Sequence, residues 1–153
     1  RLAGLQPLDT SASAPDAGIY SRDFNARTYG RLRDCVADCL RGRENVVVDA
    51  ANLRRDERDR FVAAARELEA EAVIVHCVAP LEVLKRRVAG RVATGEDASE
   101  ATVALLDRQP SYWEPFSDSE RGHVVTVDTT SAESIERALC SLAAAPTAGS
   151  SAG

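Results

Sequence analysis

The sequence predicts an α/β layer fold built on a parallel sheet. Two short runs, Val46-Val47-Val48 and Val73-Ile74-Val75, are β-branched and lack polar alternation, as strands covered on both faces do. A third run, Val124-Val125-Thr126-Val127, is of the same kind. Between them lie stretches whose apolar residues recur at helical spacing. Strands alternating with helices, in the order α-β-α-β-α-α-β-α, imply parallel pairing with helices on the sheet faces.

Each element has its own signal. Arg1 to Ile19 is rich in Pro, Ser, Ala and Asp, has no period and reads as a loop. Ser21 is an N-cap for a helix on which Phe24, Tyr29, Leu32, Val36 and Leu40 recur, closed by Gly42. Asn45 to Asp49 forms the first strand. A helix from Asp56 to Glu69 places Phe61, Ala65 and Leu68 on one face. Ala72 to Cys77 is the second strand. Pro80 suits the first turn of a third helix, apolar at Leu81, Leu84, Val88 and Val92 and stopping at Gly95. Asp97 and Glu100 resemble a capping box, and the helix that follows runs through Leu105 and Leu106 to Gln109, ended by Pro110. His123 to Val127 is the third strand. Thr130 with Glu133 caps a last helix bearing Ile135, Leu139 and Leu142. The domain is thus assigned to residues 1–142, and the small, polar tail 143–153 is expected to be disordered.

Composition removes several function classes. The chain has 153 residues and a net charge of −5, which argues against a dedicated nucleic-acid-binding domain. No apolar run approaches the roughly 20 residues that span a bilayer, and Arg1 to Thr10 lacks the apolar core of a secretory signal. A cytoplasmic setting without membrane association is expected. Methionine is absent, so the chain is expected to be a segment of a longer reading frame. The four cysteines, Cys35, Cys39, Cys77 and Cys140, have only His76 and His123 as possible metal-binding company. They are expected to be reduced, small, buried apolar residues.

Ligands of open α/β sheets bind outside the carboxyl ends of the strands. That edge holds Asp49, the Ala79-Pro80 turn and Asp128-Thr129. An Asp ending an apolar strand either caps the following loop or, like a Walker-B carboxylate, holds Mg²⁺ near nucleotide phosphates. Arg58 falls early in the second helix, within reach of the same edge; alternatively, with Arg54, Arg55 and Arg60, it forms a solvated face. Arg87 and Arg91 are one turn apart, so their guanidinium groups share a side of the third helix. Two such forks suit a phosphoryl group, and they suit equally a solvated face paired with Glu82 and Asp97.

Tyr20-Ser21, Thr28-Tyr29, Leu32, Val46 to Ala50, Leu53, Arg58, Leu84, Arg87, Arg91, Asp97 to Thr102, Gln109, Glu114-Pro115 and Val127 to Thr129 occur together in this order. The set resembles the later two-thirds of a bacterial P-loop kinase-like domain of the AAA-family ATPase type. In many bacteria that domain is fused to an aminoglycoside-phosphotransferase-like domain. The resemblance covers roughly Arg1 to Ala138, with Asp97 to Thr102 and Glu114-Pro115 its most specific parts. More distantly, Asp49 to Arg58 is similar to the D-x-x-N-L region of polynucleotide-kinase-like enzymes, and the Arg87/Arg91 helix to the lid of adenylate-kinase-like enzymes.

The resemblance implies ATP and Mg²⁺ as cofactors and a small-molecule phosphate acceptor. It makes Asp49 the carboxylate near Mg²⁺, Arg87 and Arg91 catalytic lid arginines that also bind the nucleotide, and Asp128 and Thr129 neighbours of the adenine. Asn52 and Arg58 become candidates on the substrate side. One departure is large. A P-loop reads G-x-x-x-x-G-K-[ST], and the only Lys here, Lys85, sits in an amphipathic helix without the glycines. The implied fold is therefore an incomplete, nucleoside-kinase-like P-loop NTPase, three-layered, whose parallel sheet lacks the P-loop strand. The rival reading is a degenerate, non-catalytic remnant acting as a binding module. A redox or metal protein built on the cysteines is a third reading, and it requires stoichiometric zinc.

Overall fold

A computed structural model of the chain describes residues 22–94 and 103–144. Its elements, in chain order, are α1 (Arg22–Arg41), α2 (Arg55–Glu67), β1 (Ile74–Val78), α3 (Leu81–Thr94), α4 (Val103–Tyr112), α5 (Asp118–Arg121), β2 (Val124–Asp128) and α6 (Ala132–Ala144). The loop expected before Ser21, the Asp97–Glu100 start signal and most of the expected tail lie outside the described residues. Among the described residues no helix is long and apolar enough to cross a membrane.

The chain divides into two compact units. One contains α1 as far as Asp34, together with α3 and α4; the other contains the rest of α1, α2, both strands, α5 and α6. Within the first unit α3 packs on α4, and Lys85 reaches Asp107 at 3.0 Å. Pro80 stands just ahead of α3, where its carbonyl accepts from the amides of Val83 and Leu84 at 2.9 and 3.1 Å. There the missing amide of proline costs nothing, because the first helical amides have no intrahelical partner.

The second unit holds the sheet. β1 and β2 pair in parallel, with Ile74 opposite Val124 and Val78 opposite Asp128. This is the α/β class with parallel strands that the sequence predicts. Hydrogen bonds extend the pair at both ends: Ile74 N donates to His123 O at 2.8 Å and Thr129 N to Val78 O at 2.9 Å. α6 packs against β2, and Val127 and Ala138 are both buried.

Several expectations are corrected. Asn45 to Asp49 is not a strand, and Val47 is 93% exposed. A strand exists only through its neighbours, and among the described residues the sheet consists of β1 and β2 alone. Pro110 does not end its helix: α4 continues to Tyr112 with the proline inside. The one hydrogen bond a proline removes is lost in the final turn, where fraying already weakens the ladder. The short helix α5 was not expected. The last helix is capped by Ser131 rather than Thr130, since Ser134 N donates to Ser131 Oγ at 3.1 Å, while Thr130 N and Oγ1 both donate to Asp128 Oδ1 at 2.8 and 2.7 Å. That helix runs from Ala132 to Ala144. Its expected apolar face is half open, with Leu139 61% exposed. All four cysteines are free and exposed, not buried.

Candidate functional site

A buried polar cluster surrounds Arg58. α2 starts at Arg55, so Arg58 falls one turn into the helix. It is buried to 3% exposure, and its guanidinium is engaged on every side. Nε donates to Glu120 Oε1 at 2.6 Å and Nη2 to Glu120 Oε2 at 3.3 Å, a bidentate fork on one carboxylate. Nη1 donates to the carbonyls of Asn52 and Leu53 at 3.2 and 3.1 Å, and Nη2 to the carbonyl of Glu114 at 3.1 Å. The guanidinium carbon lies 4.9 Å from the Phe116 ring centre, a cation–π contact, and His76 meets the same ring edge-on at 5.1 Å.

Glu120 is equally buried and needs its partners. The Arg58 guanidinium, aided by Ser117 N and Oγ at 2.8 and 2.9 Å, holds its carboxyl down to about 2 against the opposing effect of burial. Ser117 stands at the N-cap of α5 with Glu120 three residues on, so the same carboxylate also satisfies the start of that helix. Glu114 completes the joint: its N donates to Leu53 O at 2.9 Å, and its Oε2 accepts from Arg55 N at 2.7 Å, at the electropositive start of α2. Two loops remote in sequence, Asn52–Leu53 and Glu114–Ser117, are thus fastened to one helix.

Of the residues on the expected substrate side, Arg58 is committed to this joint, and Asn52 is beside it. Asn52 has φ of 47°, a left-handed conformation that asparagine tolerates, and its Nδ2 donates to Ala50 O at 3.3 Å. Glu120 and Phe116 are not among the residues the sequence singles out, and Glu114 stands there only as part of the resemblance, without a role. The Ser117-x-x-Glu120 spacing was the visible signal for one of them.

Asp128 and Thr129 lie at the carboxyl end of β2, as expected. Asp128 N donates to Ser134 Oγ at 3.0 Å, and Thr129 Oγ1 to Val78 O at 3.1 Å, so the turn ties the ends of both strands together. Asp49 is exposed within the irregular segment that runs from Glu44 to the start of α2. Arg87 and Arg91 are exposed on α3, one turn apart. They belong to the first compact unit, while Asp49, Asn52, Arg58, Asp128 and Thr129 belong to the second.

The donor set bears on what could be held here. Among the described residues no group of three or more His, Cys, Asp or Glu side chains could hold a metal ion. That excludes an all-protein metal cage within those residues. Mg²⁺ needs fewer protein ligands, one or two carboxylates with phosphates and water completing its shell; the exposed Asp49 has the chemistry of such a ligand. A separate open cleft of about 300 Å³ lies at the amino ends of the strands, lined by Arg55, Val62, Arg66, Ile74 and His123 among others, away from Asp128 and Thr129.

No curated protein and no solved structure matches the chain. The model of the AAA domain family matches residues 1–116, well over half of the sequence. The chain belongs to the AAA domain family, whose members are P-loop NTPase-like kinase domains.

Proposed function

We propose that the chain is the part of an ATP-binding kinase-like domain that follows the P-loop, and that the domain transfers a phosphoryl group to a small acceptor or hydrolyses ATP. The family match over residues 1–116 carries this reading. Two further observations support it: the sequence has no G-x-x-x-x-G-K-[ST] motif, and the Asn45–Asp49 run has strand composition without a strand partner among the described residues. A central P-loop strand supplies both.

In this reading Asp49 takes a place beside Mg²⁺, which when bound offsets charge on the phosphates. Arg87 and Arg91 bring two planar forks to the transferring group, a shape matched to phosphoryl oxygens. Asp128 and Thr129 border the base. Asn52 faces the acceptor, and Arg58 holds the turn that carries it. Positioning and charge stabilisation by preset groups do the catalytic work.

The reading frame upstream of Arg1 is the first test. A G-x-x-x-x-G-K-[ST] within a few tens of residues is expected; a start codon directly before Arg1 overturns the proposal in favour of a non-catalytic binding module. On the protein that includes that motif, a fluorescent ATP analogue with Mg²⁺ is expected to bind, and binding is expected to weaken in Arg87→Ala/Arg91→Ala. Unchanged affinity in the double variant removes the lid role.

A further inference from the structure

The exposure of the cysteines, contrary to their expected burial, leaves two of them in a chemically useful arrangement. Cys35 and Cys39 lie in the last part of α1, both exposed and both free thiols. Their spacing is one helical turn, which puts their Cβ atoms about 5–6 Å apart on the same side of the helix. Val36 between them is turned inward, 8% exposed, so the segment has a defined inner and outer side and the thiols are on the outer one. The helix is long and closes on a firm C-terminus: Gly42 N donates to Asp38 O at 3.2 Å and Glu44 N to Cys39 O at 3.1 Å. Two thiols on a rigid turn are preorganised as a pair.

We infer that Cys35 and Cys39 form a two-thiolate site for a soft, closed-shell cation that accepts two-coordinate binding, Cu⁺ being the type ion. Thiolate ligands select Cu⁺ and related soft ions. Zinc is disfavoured on ligand number: it is held tetrahedrally by four donors or by three and a water, and among the described residues no third His, Cys, Asp or Glu joins this pair. Each thiol gives up its proton as its sulfur binds the ion, so two Cys–SH and one Cu⁺ become one anionic S–Cu–S unit and two released protons. No electron is transferred. Because protons are products, capture strengthens as pH rises. Cys77 in β1 and Cys140 in α6, although exposed, are not a turn apart on one helix and serve as internal controls.

The test is anaerobic titration of the reduced chain with Cu⁺ against a chromogenic Cu⁺ chelator, read as chelator bleaching and as thiolate-to-metal absorption in the ultraviolet. The expected result is one ion captured per chain, lost in Cys35→Ser and in Cys39→Ser and kept in Cys77→Ser/Cys140→Ser. Far-ultraviolet circular dichroism of the serine variants checks that α1 is intact; serine is close in size and the positions are exposed, so it is expected to be unchanged. Competition with Zn²⁺ is expected to leave Cu⁺ capture unaltered. Absence of capture by the parent chain overturns the site, as does capture that survives in both single serine variants. Equal displacement by Zn²⁺ overturns the two-coordinate assignment. None of these outcomes depends on nucleotide binding.

Discussion

Arg58 illustrates how much one side chain can organise. A fully buried guanidinium is tolerated only when its charge is matched and its donors are occupied, and here one carboxylate, three carbonyls and a ring do both. Arg58→Ala leaves the Glu120 carboxylate buried without its counter-charge, so it is expected to destabilise the chain by about 3–5 kcal/mol in urea denaturation. The exposed Arg54–Asp56 pair, at 3.2 Å, sets the contrast: Arg54→Ala is expected to cost under about 1 kcal/mol. Glu120 also fixes a pH response. Its carboxyl is depressed from 4.5 to about 2, so its contribution is complete above the higher value and is lost as pH falls from one to the other. Glu120→Gln is expected to flatten that acid limb in a denaturation series between pH 5 and about 2. An acid limb unchanged in the variant would assign the loss to other carboxylates. At this scale the sequence showed an arginine near an edge. It did not show the partner, which is 62 residues away in the chain. Nothing local marks a pairing made across that separation.

At the scale of elements, helical spacing and start signals located the long helices among the described residues, and β-branched runs located both strands that form. Where it failed, a neighbour made the decision. The Asn45–Asp49 run has the same β-branched character as β1, yet Val47 is 93% exposed while Val127 in β2 is 6% exposed. Val47→Ser in this chain is therefore expected to change stability by no more than about 0.5 kcal/mol. Val127→Ala is expected to cost about 1.5–3 kcal/mol. Equal costs in thermal denaturation would mean that Val47 is covered in solution. The start of α6 makes a second contrast. Ser131→Ala removes the cap to the Ser134 amide and is expected to cost about 1 kcal/mol. Thr130 and Glu133 had the right spacing for a capping box, but Asp128 already accepts both Thr130 donors. Ser117-x-x-Glu120 was an equally legible start signal for α5; a four-residue helix is simply too short to show periodicity.

For the whole molecule, the parallel α/β class read from the order of elements and the family that the motifs resemble both stand. Stability offers a further check on nucleotide binding. With the P-loop-containing protein, Mg·ATP at a hundred times its Kd is expected to raise unfolding free energy by about 2.7 kcal/mol. No shift under those conditions contradicts the kinase-like proposal. The sequence alone determined the helices with strong apolar period and the two strand cores, and its motifs carried the resemblance that the family match bears out. These are local properties: dihedral preference, spacing and residue type are written within a few neighbouring positions. Only the tertiary structure decided that Arg58 is a buried fastener, that Val46 to Val48 has no ladder to join among the described residues, and that the cysteines face outward. Burial, ion pairing and strand formation are properties of pairs brought together across the chain, and their free energy exists only once both members are in place.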